Sequence, residues 1–123
     1  MLLDEFYFIT DSMVRPNSME ATIEINKNHR IFEGHFPGQP IIPGACLFQI
    51  IKEMIELAVA GPVQLVKADH LKFLIPLDPN DTTPLKIDLK YNLAGPQHVH
   101  VSANVRKNND MCFKFNGSFS LSA

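Results

Sequence analysis

Between Ala45 and Ala60 every residue is apolar except Gln49, Lys52, Glu53 and Glu56. Those four stand at offsets 0, 3, 4 and 7, which places them on one narrow stripe of an α-helix. A helix that is apolar around the rest of its circumference cannot lie on a surface, so other structure has to wrap it. Pro43-Gly44 suits its first turn, because proline's fixed φ and missing N–H cost nothing there. Gly61-Pro62 ends it. Ahead of the helix, Gly34, His35, Phe36, Pro37, Gly38, Pro40, Pro43 and Gly44 crowd into one short loop. Prolines fix φ and glycines admit close backbone approach, so such a loop holds something in place. Its only titratable side chain is His35.

The remainder of the chain reads mainly as strands. Leu2 to Thr10 is apolar and aromatic enough for a strand or a short helix. Met13 to Ser18, with Pro16 and Asn17, reads as a turn. Glu20 to Asn26 alternates, with Ala21, Ile23 and Ile25 on one side, the pattern of a half-buried strand. Val63 to Ile75 is a long strand whose phase breaks around Lys67 to His70, which predicts a bulge or strong bend. A turn-rich link, Pro76 to Pro84, leads to three further alternating runs: Leu85 to Leu93, His98 to Arg106 and Met111 to Leu121. Hairpin-linked strands with one apolar face imply an antiparallel sheet. One buried helix and one such sheet give a single α+β domain over residues 1–123, the sheet curling around the helix.

Lys+Arg 11 against Asp+Glu 13 leaves a net charge of −2, and no basic run is present, which argues against nucleic acid as a partner. Cys46 and Cys112 lie far apart, outside any CxxC spacing, and read as free thiols of a reducing compartment. The start carries no basic leader, and no apolar run reaches the ~18 residues that span a bilayer, so a cytoplasmic protein away from membranes is expected. His98 and His100 share a strand face without a carboxylate or thiol beside them. They read as surface residues, and neither a metal nor a cofactor is expected. Cys46 reads as packing, the phenylalanines of the last strand as core, and Lys52, Glu53 and Glu56 as a solvated or interface face.

His35 within GHFPGQPIIPG (Gly34 to Gly44), followed at once by a buried helix, resembles the β-hydroxyacyl-[acyl carrier protein] dehydratases. Lys72-Phe73 with Pro76 and Asp78 is a second point of similarity. The resemblance extends from about Glu24 through Leu85. It implies a hot-dog fold, in which a long antiparallel sheet wraps a central helix. It also implies a site with His35 as the base that removes the α-proton of an acyl thioester, and Gly44 N–H as donor to the thioester carbonyl. Such an elimination needs a base of near-neutral pKa and a donor for the enolate-like oxygen. A glycine amide at a helix N-terminus suits the second task. The carbonyl of Ile41 would orient the imidazole, while Phe36, Ile41, Ile42, Leu47 and Phe48 would line the acyl chain. Acyl carrier protein or coenzyme A would carry the thioester, and a homodimer or an assembly of dimers is expected. Arg30, Lys67, Lys72 and Lys86 are candidate docking charges for an acidic carrier.

The resemblance fails at one position. The family's acid, Glu or Asp, stands fourteen residues after the histidine and acts across the subunit interface, but position 49 is Gln. A carboxamide can hold a hydroxyl by hydrogen bonds but cannot protonate it, and loss of a positioned acid lowers a rate by ~10²–10⁴-fold. Glu53, one turn further along the stripe, is a candidate substitute. Three readings therefore stand: a dehydratase in which Gln49 positions the leaving hydroxyl, a hot-dog thioesterase, or an impaired partner subunit that binds acyl carriers.

Overall fold

A computed structural model describes residues 1–33 and 40–121. The candidate residues His35 and Phe36 lie outside that range. The elements are β1 (Tyr7–Arg15), β2 (Ser18–Ile25), a 3-10 turn (Arg30–Glu33), α1 (Gly44–Val59), β3 (Val63–Phe73), β4 (Leu85–Leu93), β5 (His98–Lys107) and β6 (Asp110–Leu121). The strands form one antiparallel sheet in the order β1-β2-β4-β5-β6-β3. The chain thus leaves β2 near one edge, passes through α1, and re-enters at the opposite edge as β3. This is the hot-dog arrangement.

Alternation decides which face of each strand is buried. Ile87 and Leu89 of β4, Val99, Val101 and Val105 of β5, and Phe113, Phe115 and Phe119 of β6 all belong to the core. With them in that core are Leu47, Ile50, Ile51, Met54 and Ile55 of α1. Fully burying side chains of this size contributes roughly 1.5–3 kcal/mol each, so the packing of the helix against the sheet is a large source of cohesion. Cys46 and Cys112 are both buried free thiols.

The first expected turn is shorter than its sequence suggests. β1 continues to Arg15 and β2 begins at Ser18, which pair directly across Pro16 and Asn17. Proline's fixed φ and the left-handed Asn17, at φ 67°, close that hairpin in two residues. Residues 1–6, undecided in the sequence, precede the strand. They bend through Asp4, at φ 68°, and return the amides of Glu5 and Phe6 to the Leu2 carbonyl at 3.1 and 2.7 Å.

The phase break expected in β3 is present twice. The register with β6 shifts between Leu65 and Lys67 and again between Ala68 and His70, leaving Val66 and Asp69 as the extra residues. Gly117 lies under this stretch: a Cβ there would collide with the Lys67 carbonyl oxygen and the Phe115 ring. After Val63 every residue of this edge strand is exposed. At the end of α1 the expected stop at Gly61 is made one residue earlier. Ala60 takes the left-handed conformation, at φ 59°, and donates its N–H to the Glu56 carbonyl.

Candidate functional site

The polar stripe of α1 is not uniformly solvated. Ala45, one turn before Gln49 on the same line, is exposed; Gln49 is half-buried; Glu53 is fully buried. The expectation that Glu53 lies on a solvated face is therefore wrong. Its side chain is 0% exposed because residues 1–7 fold over it. The Leu2 amide donates to Oε2 at 2.8 Å and the Leu3 amide to Oε1 at 2.9 Å. Tyr7 donates its hydroxyl to Oε1 at 3.2 Å, and Gln49 Nε2 donates to Oε2 at 3.0 Å.

Four donors on one carboxylate fill its acceptor sites. Burial alone pushes the Glu53 carboxyl up, but the hydrogen bonds from Leu2, Gln49, Leu3 and Tyr7 together outweigh it and hold the group below its ordinary range. Burial, followed by the neighbouring Glu53 charge, pushes the Tyr7 phenol upward, so it stays a neutral donor. Glu53 is thus an ionised, saturated anchor with no proton to give, which removes it as a substitute acid. The sequence offered no sign of this role. Leu2, Leu3 and Tyr7 lie more than forty positions away from Glu53, and amide donors leave no trace in composition.

Gly44 opens α1 behind Pro43, an N-cap with no side-chain cap hydrogen bond, so the first-turn amides rely on other acceptors. A Cβ on Gly44 would stand 2.5 Å from two atoms of the Phe73 ring. Phe73 itself stacks on Phe113 with ring centroids 5.1 Å apart. The glycine therefore lets an aromatic ring approach the backbone at the start of the helix, joining two features read separately from the sequence.

The expected acyl-lining residues are dispersed. Ile42 and Leu47 are buried, and Ile41 and Phe48 half-buried. Phe48 packs against Phe115 and Phe119 at centroid distances of 5.5 and 6.2 Å. Ile42 donates its amide to the Leu77 carbonyl at 2.8 Å and borders a cavity of about 320 Å³ that Lys27, Asp81 and Lys107 also line. Leu47 and Phe48 do not reach that cavity. Arg30, Lys67, Lys72 and Lys86 are all exposed, with Lys67 paired to Asp69 at 3.4 Å. No group of His, Cys, Asp and Glu suited to a metal occurs among the described residues. Among the described residues no helix is long and apolar enough to cross a membrane.

Comparison with known proteins agrees with this architecture. The sequence profile of the ApeI-like family, the ApeI dehydratases, matches residues 11–116. A 3-hydroxyacyl-[acyl-carrier-protein] dehydratase FabZ of Wolbachia pipientis subsp. Culex pipiens is 30% identical over 97 residues, 73% of this chain and 68% of the relative. The chain spans 57–68% of the length of the Wolbachia relatives it matches. Among solved structures, the Dehydratase Heterocomplex ApeI:P from Xenorhabdus doucetiae superposes with a TM-score of 0.74 at 14% identity, covering 92% of this chain and 96% of that one. A hypothetical thioesterase with coenzyme A from Streptococcus pneumoniae reaches 0.70 at 12% identity, covering 98% and 92%. The fold alone thus does not separate the two chemistries. The ApeI:P structure corrects one expectation: it is a heterocomplex, so a homodimer does not follow from this architecture. The chain belongs to the ApeI-like dehydratase family.

Proposed function

We propose that this ApeI-like protein is an acyl-thioester-binding subunit that has lost its own acid and works beside an acid-bearing hot-dog partner of different sequence. The observation that carries the reading is the pair Gln49 and Glu53. A carboxamide occupies the place of the family's acid, and the neighbouring carboxylate is buried, ionised and saturated by four donors. Neither Gln49 nor Glu53 has a proton to give a leaving hydroxyl.

By the resemblance, the acid of each site would come from the opposite subunit. In a mixed pair, His35 of this chain would therefore face the partner's acid, and the partner's histidine would face Gln49. One site would be complete and the other would bind without turning over. At the complete site His35 takes the α-proton, the Gly44 amide holds the carbonyl oxygen as negative charge builds on it, and the partner's acid protonates the departing hydroxyl. β3 suits a covered position. It is an edge strand with Leu65, Val66, Leu71 and Phe73 exposed, and exposed apolar strand edges are ordinarily covered in the working assembly.

The test is a short 3-hydroxyacyl pantetheine thioester incubated with the purified chain, followed for binding, enoyl product and free thiol. Binding without either product is expected. Enoyl formation by the chain alone, abolished in His35→Ala, would make it a self-sufficient dehydratase. Thiol release would make it a thioesterase, and absence of binding at several chain lengths would end the reading.

A further inference from the structure

The second bulge of β3 decides which of its side chains reach the outer face of the sheet. Residues paired directly across two strands share a face. On β6 the core residues Phe113 and Phe115 alternate with Lys114 and Asn116, which puts the latter two outside. Asp69 is the extra residue of the bulge, and pairing resumes with His70 opposite Asn116 and Lys72 opposite Lys114. A slip of one residue turns every later side chain to the other face. Without the bulge, Asp69 and Leu71 would stand opposite Asn116 and Lys114; with it, two basic residues do. The result is a cleft of about 380 Å³ lined by His70, Lys72 and Lys114 together with Ser102, Asn104 and Asn116. No acidic residue borders it, although the chain carries a net charge of −2. Neighbouring carboxylates are held elsewhere: Asp69 pairs with Lys67 at 3.4 Å, and Asp88 with Arg106 at 2.9 Å. Among the described residues Lys72 and Lys114 enter no ion pair. Like charges directly opposite on neighbouring strands repel, so this register costs stability unless a counter-charge sits between the two lysines.

We propose that this cleft is a binding site for a soluble phosphate monoester. It lies on the outer face of the sheet, whereas α1 packs against the inner one, so the inference stands apart from the thioester-binding reading. Charge selects the ligand class. A phosphate monoester carries about −1.5 to −2 near neutral pH on three acceptor oxygens. That balances two ammonium groups and leaves an acceptor for His70, whose imidazole offers an N–H in either charge state. A carboxylate would balance only one lysine. The Asn116 amide and the Ser102 hydroxyl add neutral donors. The volume falls within the roughly 300–1,000 Å³ of small-molecule sites. An acidic protein surface could meet the exposed lysines, but the half-buried Asn104 and Asn116 suit a group small enough to enter. Lys72, one of the candidate docking charges, thereby gains a different ligand.

The experiment titrates the ¹⁵N-labelled chain with glycerol 3-phosphate at constant ionic strength and follows the backbone amide shifts. Acetate and a Glu-rich peptide serve as comparison ligands. Saturable shifts centred on His70, Lys72, Lys114 and Asn116 are expected. Lys72→Gln and Lys114→Gln should each weaken binding by about ten- to a hundredfold, the worth of one charge-assisted hydrogen bond. Acetate should bind more weakly than glycerol 3-phosphate by about tenfold or more. Thermal unfolding gives a second readout that a damaged fold would move the other way. Without ligand, both variants should melt at or above the wild-type temperature, because the opposed lysines are gone. Glycerol 3-phosphate should then raise the melting temperature of the wild type alone. Absence of saturable shifts at the cleft, or equal affinity in the two variants, overturns the proposal. Acetate binding as tightly as the phosphate also overturns it, since the cleft would then attract any anion. Saturation by the peptide but not by glycerol 3-phosphate would make the cleft a docking surface for an acidic protein and overturn the phosphate assignment. None of these outcomes bears on thioester binding at α1.

Discussion

The two halves of α1 carry similar residues and have opposite fates. Near Glu53 the helix is sealed: the chain's first residues fold over the carboxylate, and Ile50, Ile51, Met54 and Ile55 are fully buried. Near Gly44 it is open, with Ala45 exposed, no side-chain cap, and one aromatic ring standing over the first turn. Gln49 lies on the border. The contrast shows how one helix can carry a sealed anchor and an open end together. The carboxylate of the sealed half serves cohesion, and the open half leaves its first-turn amides without a side-chain cap.

The contrast breaks most readily in the sealed half. Ile51→Ala should lower unfolding stability by about 3–4 kcal/mol in urea titrations, from lost burial plus a residual cavity. Glu53→Ala strands two amides, a phenol and a carboxamide, and should cost about 2–4 kcal/mol in the same measurement. If Glu53→Ala is as stable as wild type, the seal is not what holds residues 1–7.

Acid should weaken the same contact. The Glu53 carboxyl is held below its ordinary range in the fold and returns to about 4.3 on unfolding. Its contribution is therefore complete above that pH and drains away as pH falls through the lower, folded value. The urea midpoint of wild type should drop in acid below about pH 4.3 by more than that of Glu53→Ala; parallel curves would contradict the seal.

The open half should respond through binding and not stability. Gly44→Ala places a methyl group against the Phe73 ring, but that ring is 56% exposed and can swing aside. A stability loss under about 1 kcal/mol is expected, with a clear loss of thioester affinity as the ring or the amide shifts. Smallest of all, Ala60→Gly should stabilise the protein by about 0.5 kcal/mol, because a left-handed residue at the helix end favours glycine.

The fold was legible because its signals are local. Period-two alternation marks Leu85 to Leu121, period 3.6 marks α1, and the phase slip around Lys67 to His70 marks the bulges of β3. The candidate site was read from a motif, at Gly44 and Gln49, and the structure adds the contacts around those two residues. What stayed hidden depends on distant partners. The stripe Gln49, Lys52, Glu53 and Glu56 reads as one solvated face, yet Glu53 is buried by residues fifty positions earlier. Leu65, Val66 and Leu71 are apolar, yet they are exposed on the edge strand β3. Hydrophobicity says that a side chain seeks cover. It does not say whether its own chain provides it.

The doubled bulge of β3 has a bearing on self-association. A flat, uninterrupted edge would template copy upon copy into a growing ribbon. Val66 and Asp69 each stand out of register with β6, so the strand coils and its outer rim offers only short straight segments at either end. A neighbour shaped to that coil can dock there, but an arbitrary strand finds too few consecutive bonds. Irregularity here protects an apolar rim against filament growth.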